Sequence, residues 1–240
     1  MASGGAAGVA WSQHTFTAAS RMIRAVLPLL AALALAATPI ATATQAALVD
    51  VGARLPDAVL DIRYATADNF VGRPLYPVSR CLLLPGVADR LAQAAATLRK
   101  RGFRLLIFDC YRPLSVQRQL WKAMPKRGFV ADPATGSHHN RAAAVDLSLA
   151  DPAGRPVEMP TGFDAFGPKA RAWATDGVSA PARRHRDLLR EAMSAAGFSV
   201  NPVEWWHFDA PGAAALPLLD LPLDGPLHPS RAPLAGGGTR

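Results

Sequence analysis

SHHNRAAAVDLSL, Ser137 to Leu149, sets two adjacent histidines and a run of small residues ahead of one carboxylate and alternating apolar positions. Ala144 to Leu149 follows the two-residue period of a strand, so Asp146 enters a buried strand and Ser137 to Ala143 forms the loop feeding it. The chain has only six histidines, and His138 and His139 are two of them.

Outward from this strand, helices and strands alternate. Leu48 to Tyr64 ends with Leu60, Ile62 and Tyr64 at alternate positions, which predicts a short strand, followed by the polar loop ATADNFVGRPLYP. Pro85 to Arg101 carries Val87, Leu91, Ala94, Ala95 and Leu98 at helical spacing and stops at Gly102. Arg104 to Asp109, RLLIFD, reads as a buried strand whose end presents Tyr111 and Arg112. Leu114 to Met124 and Ala182 to Gly197 are further helices, and residues 151–181 are loop-rich. NPVEWWHFDAPG is a strand candidate by its aromatics. The later strands are too closely linked by turns for a regular parallel sheet, so the fold class is α+β.

A chain of 240 residues, half of them apolar, suffices for one well-packed domain. The formal charge of +8 comes from Lys and Arg scattered singly. The densest cluster, Arg183 to Arg186, lies at a helix start and reads as a solvated face, so no nucleic-acid partner follows from charge. The first 46 residues stand apart. Arg24, an apolar run from Ala25 to Ala37, and small residues offering cleavage after Ala43 or Ala46 form a secretory leader, with the true start expected at Met22. The run contains Pro28 and falls short of the ~20 apolar residues a membrane span needs. The expected organisation is therefore an extension and leader at 1–46, a catalytic domain at 47–219, and a disordered Pro/Gly-rich tail at 220–240. The mature protein is expected to be exported and soluble, periplasmic or extracellular, without stable membrane association.

Export places Cys81 and Cys110 in an oxidising compartment. One disulfide closing a loop of about thirty residues is expected, stabilising by ~3 kcal/mol. Two buried thiols or two zinc ligands are the competing readings, and a better ligand set exists elsewhere. Zinc in a hydrolase takes three ligands from His, Asp or Glu and keeps a fourth position open. His139 or His138 with Asp146 supplies two, and His207 in EWWH is the natural third. Glu204 adds a carboxylate suited to taking a proton from activated water. On a helix Glu204 and His207 share a face; on a plain strand they face opposite ways, unless the strand ends or bulges between them.

SHHNRAAAVD resembles the Ser-x-His-x-x-Gly-x-Ala-x-Asp signature of the zinc DD-peptidases related to D-alanyl-D-alanine dipeptidase, and EWWH matches their second signature. The likeness extends along most of the mature chain: DIRYATADNFVGRPLY is similar to the dipeptidase N-terminal segment, DCYRP to its arginine motif, and MPTGFDAFGP to the loop after the metal-bearing strand. It implies a single hedgehog/DD-peptidase-like α+β domain with a central, mainly antiparallel sheet flanked by helices. It further implies one zinc ion per chain on His139, Asp146 and His207, leaving His138 as a solvated neighbour. Glu204 is then the general base, and Arg112 stabilises the oxyanion, with a structural salt bridge to Asp109 as its alternative role. Tyr64, Ser137 and Asp164 are implied to surround a small dipeptide, Asp164 meeting its free ammonium; from the residues alone Ser137 serves equally as a loop cap and Asp164 as a turn residue.

Ala142 stands where the signature carries glycine, which is tolerable at negative φ and strained at positive φ. A wall DD-carboxypeptidase and a non-catalytic wall-binding module are the competing functions. Oligomeric state is not readable from the sequence.

Overall fold

The structure, a computed structural model, describes residues 48–227. The expected leader at 1–46 and the end of the tail lie outside the described residues. Strand β1 (Val49–Asp50) runs into a short helix, α1 (Val51–Arg54), capped by the Asp50 carboxylate accepting from Gly52 N–H at 3.0 Å. Strand β2 (Val59–Leu60) is only two residues long and gives way to a 3-10 turn at Arg63–Ala65. The strand expected to reach Tyr64 therefore stops early, and the turn buries the Tyr64 ring.

Strand β3 (Leu82–Leu83) precedes helix α2 (Pro85–Arg99), where Pro85 occupies the first turn and needs no N–H partner. Val87, Ala88, Leu91, Ala94, Ala95 and Leu98 form its buried face. Gly102, at φ 79°, turns the chain out of the helix and into β4 (Arg104–Asp109). Helix α3 (Leu114–Ala123) follows, then β5 (Ala144–Ala150), α4 (Ala180–Ala195), and the hairpin β6 (Ser199–Asn201) and β7 (Glu204–Asp209).

The main sheet has the order β2-β4-β5-β7-β6. Only β2 and β4 run parallel; the other neighbours are antiparallel, and β1 and β3 form a separate two-stranded ribbon. This is the expected α+β sheet flanked by helices. Helices α2 and α4 pack together and against β4 and β5. Every residue of β5 is buried, which requires cover on both faces. Val145, Leu147 and Leu149 join the hydrophobic core, while strand alternation sends Asp146 to the other face.

A disulfide joins Cys81, just before β3, to Cys110, just after β4. It staples the ribbon to the edge of the site. The ordered chain runs past the boundary expected after Leu219. Leu221 N–H donates to Tyr111 Oη at 2.6 Å, that hydroxyl donates to Leu221 O, and Leu223 is buried against the core. Arg80 also donates to the Leu223 carbonyl. Residues 220–227 are thus a packed strap rather than a disordered tail: isolated leucines and one arginine hold them, without any helix or strand period for composition to reveal. No helix among the described residues is long and apolar enough to cross a membrane.

Candidate metal centre and peptidase site

His139 sits on a 3-10 turn, His138–Arg141, immediately before β5. Ser137 caps the turn: its Oγ accepts from His139 N–H at 3.2 Å, and Asn140 Oδ1 accepts from Ser137 N–H at 2.7 Å. Ala142 ends the turn at φ 53°, in the left-handed region. The methyl group is therefore carried at positive φ, a conformation costing an L-residue about 1–2 kcal/mol. Asp146 lies opposite His207 in the register of β5 and β7, so two antiparallel neighbours present both side chains to the site.

The donor atoms of His139, Asp146 and His207 all lie within 4.8 Å of one another, and all three residues are buried. His139 Nδ1 is 2.6 Å from the Cys110 carbonyl, which can only accept, so Nδ1 carries the hydrogen and Nε2 is bare. His207 Nε2 is 2.9 Å from the Asp209 carboxylate, which holds a hydrogen on Nε2, so the neutral ring presents its lone pair on Nδ1. These two lone pairs face each other at 3.1 Å, with Asp146 oxygens 3.2 and 2.9 Å away. Two neutral imidazoles turned this way, with a carboxylate between them, offer three donor atoms to one cation. Two nitrogens and one oxygen suit zinc. Burial pushes the Asp146 carboxyl up, but the two imidazoles outweigh it and hold Asp146 well below the usual carboxylate range.

Glu204 begins β7, three residues before His207, where a plain strand would turn them apart. The strand is not plain. Asn201 pairs with Glu204 and Val200 with Phe208, so three residues of β7, Trp205 to His207, bulge against β6. Both side chains consequently line one cavity of about 410 Å³. Asn201 Nδ2 donates to Glu204 Oε2 at 3.0 Å. Burial raises the Glu204 carboxyl to about 7, with His207 pulling it down and Asp146 pushing it up.

Arg112 follows the end of β4. Its Nε and Nη2 both donate to Asp109 Oδ2, at 2.9 and 2.7 Å, and Nη1 donates to Gln117 Oε1 at 2.9 Å. Asp109 is itself held by Tyr76 Oη and by Cys110 N–H. The salt bridge weighed against an oxyanion role is therefore present. It does not consume the guanidinium: three of the five N–H groups an arginine carries are used, and Arg112 still lines the cavity. Its guanidinium carbon stands 5.0 Å from the Tyr64 ring centroid. Arg112 N–H donates to the His139 carbonyl and Asn140 donates to the Arg112 carbonyl, so the arginine and the histidine turn clamp each other.

Asp164 comes from the loop after β5 and also has a left-handed φ, 57°. Tyr64 Oη donates to its Oδ2 at 2.8 Å. Burial, and then the Asp146 charge, raises the Asp164 carboxyl to about 8. All eight residues expected at the site, Tyr64, Arg112, Ser137, His139, Asp146, Asp164, Glu204 and His207, line this one cavity.

Residues 44–224 match the family described as D-ala-D-ala dipeptidase. The chain belongs to the D-alanyl-D-alanine dipeptidase family. A D-alanyl-D-alanine dipeptidase of Escherichia coli is 39% identical over 172 residues, covering 72% of this chain and 89% of the relative. Enzymes of the same name from Streptomyces coelicolor and Enterococcus faecium are 33% and 30% identical, each covering 62% of this chain and 83% of the relative. The chain is thus a peptidase, and the dipeptidase family's motifs fall on the walls of the cavity just described.

Two residues at that cavity escape the family motifs. Asp209 receives the His207 Nε2–H, and His138 Nδ1 lies 2.8 Å from the same Asp209 oxygen. His138 is therefore not the solvated neighbour expected; it is half-buried against a carboxylate. The available signal was spacing: in a strand Asp209 falls on the same face as His207, two residues earlier. Asp109 was anticipated as the salt-bridge partner of Arg112; Gln117, which also holds the guanidinium, gave no such signal, because it belongs to no periodic pattern with the arginine.

Proposed function

We propose that this protein hydrolyses the D-Ala-D-Ala dipeptide to two D-alanines with one zinc ion held by His139, Asp146 and His207. The observation that carries the reading is that Glu204, Arg112 and Asp164 line one cavity with the His139, Asp146 and His207 donor atoms, which lie within 4.8 Å of one another. When bound there, zinc supplies Lewis-acid polarisation of a peptide carbonyl and activation of water near neutral pH.

The chain's own residues do the rest. Glu204, with a carboxyl raised to about 7, accepts the proton of the attacking water and returns it to the leaving nitrogen as the C–N bond breaks. The two unused N–H donors of Arg112 stabilise the oxyanion, and the Asp109 and Gln117 contacts fix the guanidinium so that no reorganisation is needed at the barrier. Asp164, buried beside Tyr64, pairs with the free ammonium of the dipeptide. Burial and the Asp146 charge outweigh the Tyr64 hydrogen bond and the Arg112 charge in raising its carboxyl, and an ammonium would supply the missing compensation. An acylated amine would leave Asp164 unpaired, so the enzyme should ignore the intact peptidoglycan stem. Export by the leader would place this activity where wall turnover releases D-Ala-D-Ala, which suits D-alanine scavenging better than glycopeptide resistance.

The test is D-alanine release by the zinc-loaded protein from D-Ala-D-Ala and from an N-acylated stem peptide ending in the same pair. Release from the free dipeptide alone is expected. Release from the blocked peptide would make the protein a wall carboxypeptidase, and silence on both would leave a binding module.

A further inference from the structure

Asp209 and His138 lie at the rim of the cavity, their side chains 26% and 35% exposed, and the proposed reaction gives neither a task. Their geometry is specific. Asp209 Oδ1 accepts from His207 Nε2–H at 2.9 Å and stands 2.8 Å from His138 Nδ1. One carboxylate oxygen is thus shared by two imidazoles from different elements: His207 on β7, and His138 on the turn that also carries His139. The contact ties the two elements that carry His139 and His207 together.

An imidazole offers a lone pair only on the nitrogen without hydrogen, and the partner of the other nitrogen decides which that is. For His139 the Cys110 carbonyl makes the choice, leaving Nε2 bare. For His207 the opposite nitrogen, Nδ1, faces Asp146, so its partner must hold the other tautomer. Asp209 is the group placed to do so. Without it the His207 ring could carry its hydrogen on Nδ1, toward the metal position, where it cannot serve as a ligand.

We infer that Asp209 is a positioning residue for His207, fixing the ring's orientation and tautomer so that Nδ1 faces the metal, and that His138 holds Asp209 in place instead of binding metal itself. The inference rests on the metal reading above.

The test is zinc affinity by chelator competition on the full chain, with the visible spectrum of the cobalt-substituted protein as a report on ligand geometry. Asp209→Ala should weaken zinc binding about 10–100-fold and shift the cobalt spectrum, while the metal-free protein melts near the wild-type temperature. Asp209→Asn keeps an oxygen acceptor and should lose less. His138→Ala should weaken binding less than Asp209→Ala, and the double variant should be no weaker than Asp209→Ala alone.

Zinc affinity within about twofold of wild type and an unshifted cobalt spectrum in Asp209→Ala would overturn the inference. Independent, additive losses would overturn the part given to His138. Should Asp209→Ala fail to fold, the near-isosteric Asp209→Leu, which offers no acceptor, decides, since an unshifted spectrum and unchanged affinity there would be equally damaging. If wild type takes up no zinc, or His207→Ala binds it as tightly, the metal reading falls and this inference with it; dependence on His207 but not Asp209 overturns the inference alone.

Discussion

The two walls of the cavity are built in different ways. The metal wall is sheet: Asp146 and His207 are register partners on β5 and β7, and His139 is held by a capped turn hydrogen-bonded to the end of β4. The substrate wall is loop and turn: Tyr64 from a 3-10 turn and Asp164 from a loop residue at positive φ, joined across the chain by one hydrogen bond. Ladder hydrogen bonds fix the first wall to the tolerance metal coordination needs. The second is set by side-chain packing and the Tyr64–Asp164 hydrogen bond. In the proposed reaction, chemistry would belong to the sheet wall and substrate choice to the loop wall.

The sharpest way to break that division is to separate metal from turnover on the sheet side. Glu204→Ala should retain zinc and lose about 10²–10⁴ in kcat, whereas His139→Ala and His207→Ala should lose the metal itself. Metal analysis beside D-alanine release reads both, and equal zinc loss in all three would contradict the assigned roles. Arg112→Lys keeps a charge but not the forked contact to Asp109, and about 10²–10³ in kcat should go with zinc content unchanged. A variant with wild-type kcat would return Arg112 to a purely structural salt bridge.

On the loop side the expected effect in the metal-free protein is one of stability. The folded-state carboxyl of Asp164 is raised to about 8 from an ordinary value near 4, so its contribution is full below about pH 4 and is lost as pH rises through 8. Asp164→Asn should therefore raise the melting temperature of the metal-free protein, and by more at pH 8 than at pH 5. A gain independent of pH would show that the carboxyl is not held neutral. The smallest effect is expected at the turn. Ala142→Gly relieves a left-handed alanine and should stabilise the fold by about 1 kcal/mol, net of the greater freedom of glycine in the unfolded chain, without altering zinc affinity. Destabilisation measured by denaturant titration would mean the buried methyl contributes more through packing than its φ costs.

The same contrast governs what the sequence made legible. His139, Asp146, Glu204 and His207 could be read because they sit in short words whose spacing matches strands and a tight turn. The helices and the buried strand 104–109 were legible by period. What escaped depends on irregularity or on distance along the chain. The bulge in β7, which brings Glu204 beside His207, is a register shift against β6, and no residue of EWWH announces it. Tyr64 alternates with Leu60 and Ile62 as a strand would, yet the chain pairs with β4 only at Val59 and Leu60 before it enters the 3-10 turn at Arg63–Ala65. Ala142 carries a conformation that its identity argues against, held by hydrogen bonds from Ala142 N–H to His139 and from Ala143 N–H to His138 carbonyls. The strap at 220–227 is anchored by Tyr111 and Arg80, more than a hundred residues away.

The division of labour is tested most directly by kcat and KM of zinc-loaded Asp164→Asn on D-Ala-D-Ala and on its N-acetyl form, beside wild type. The account predicts unchanged zinc content, a loss on the free dipeptide carried mainly by KM, and a collapse of the preference for the free amine over the acetylated one. An unchanged preference, or a loss of zinc with the carboxylate, would contradict it.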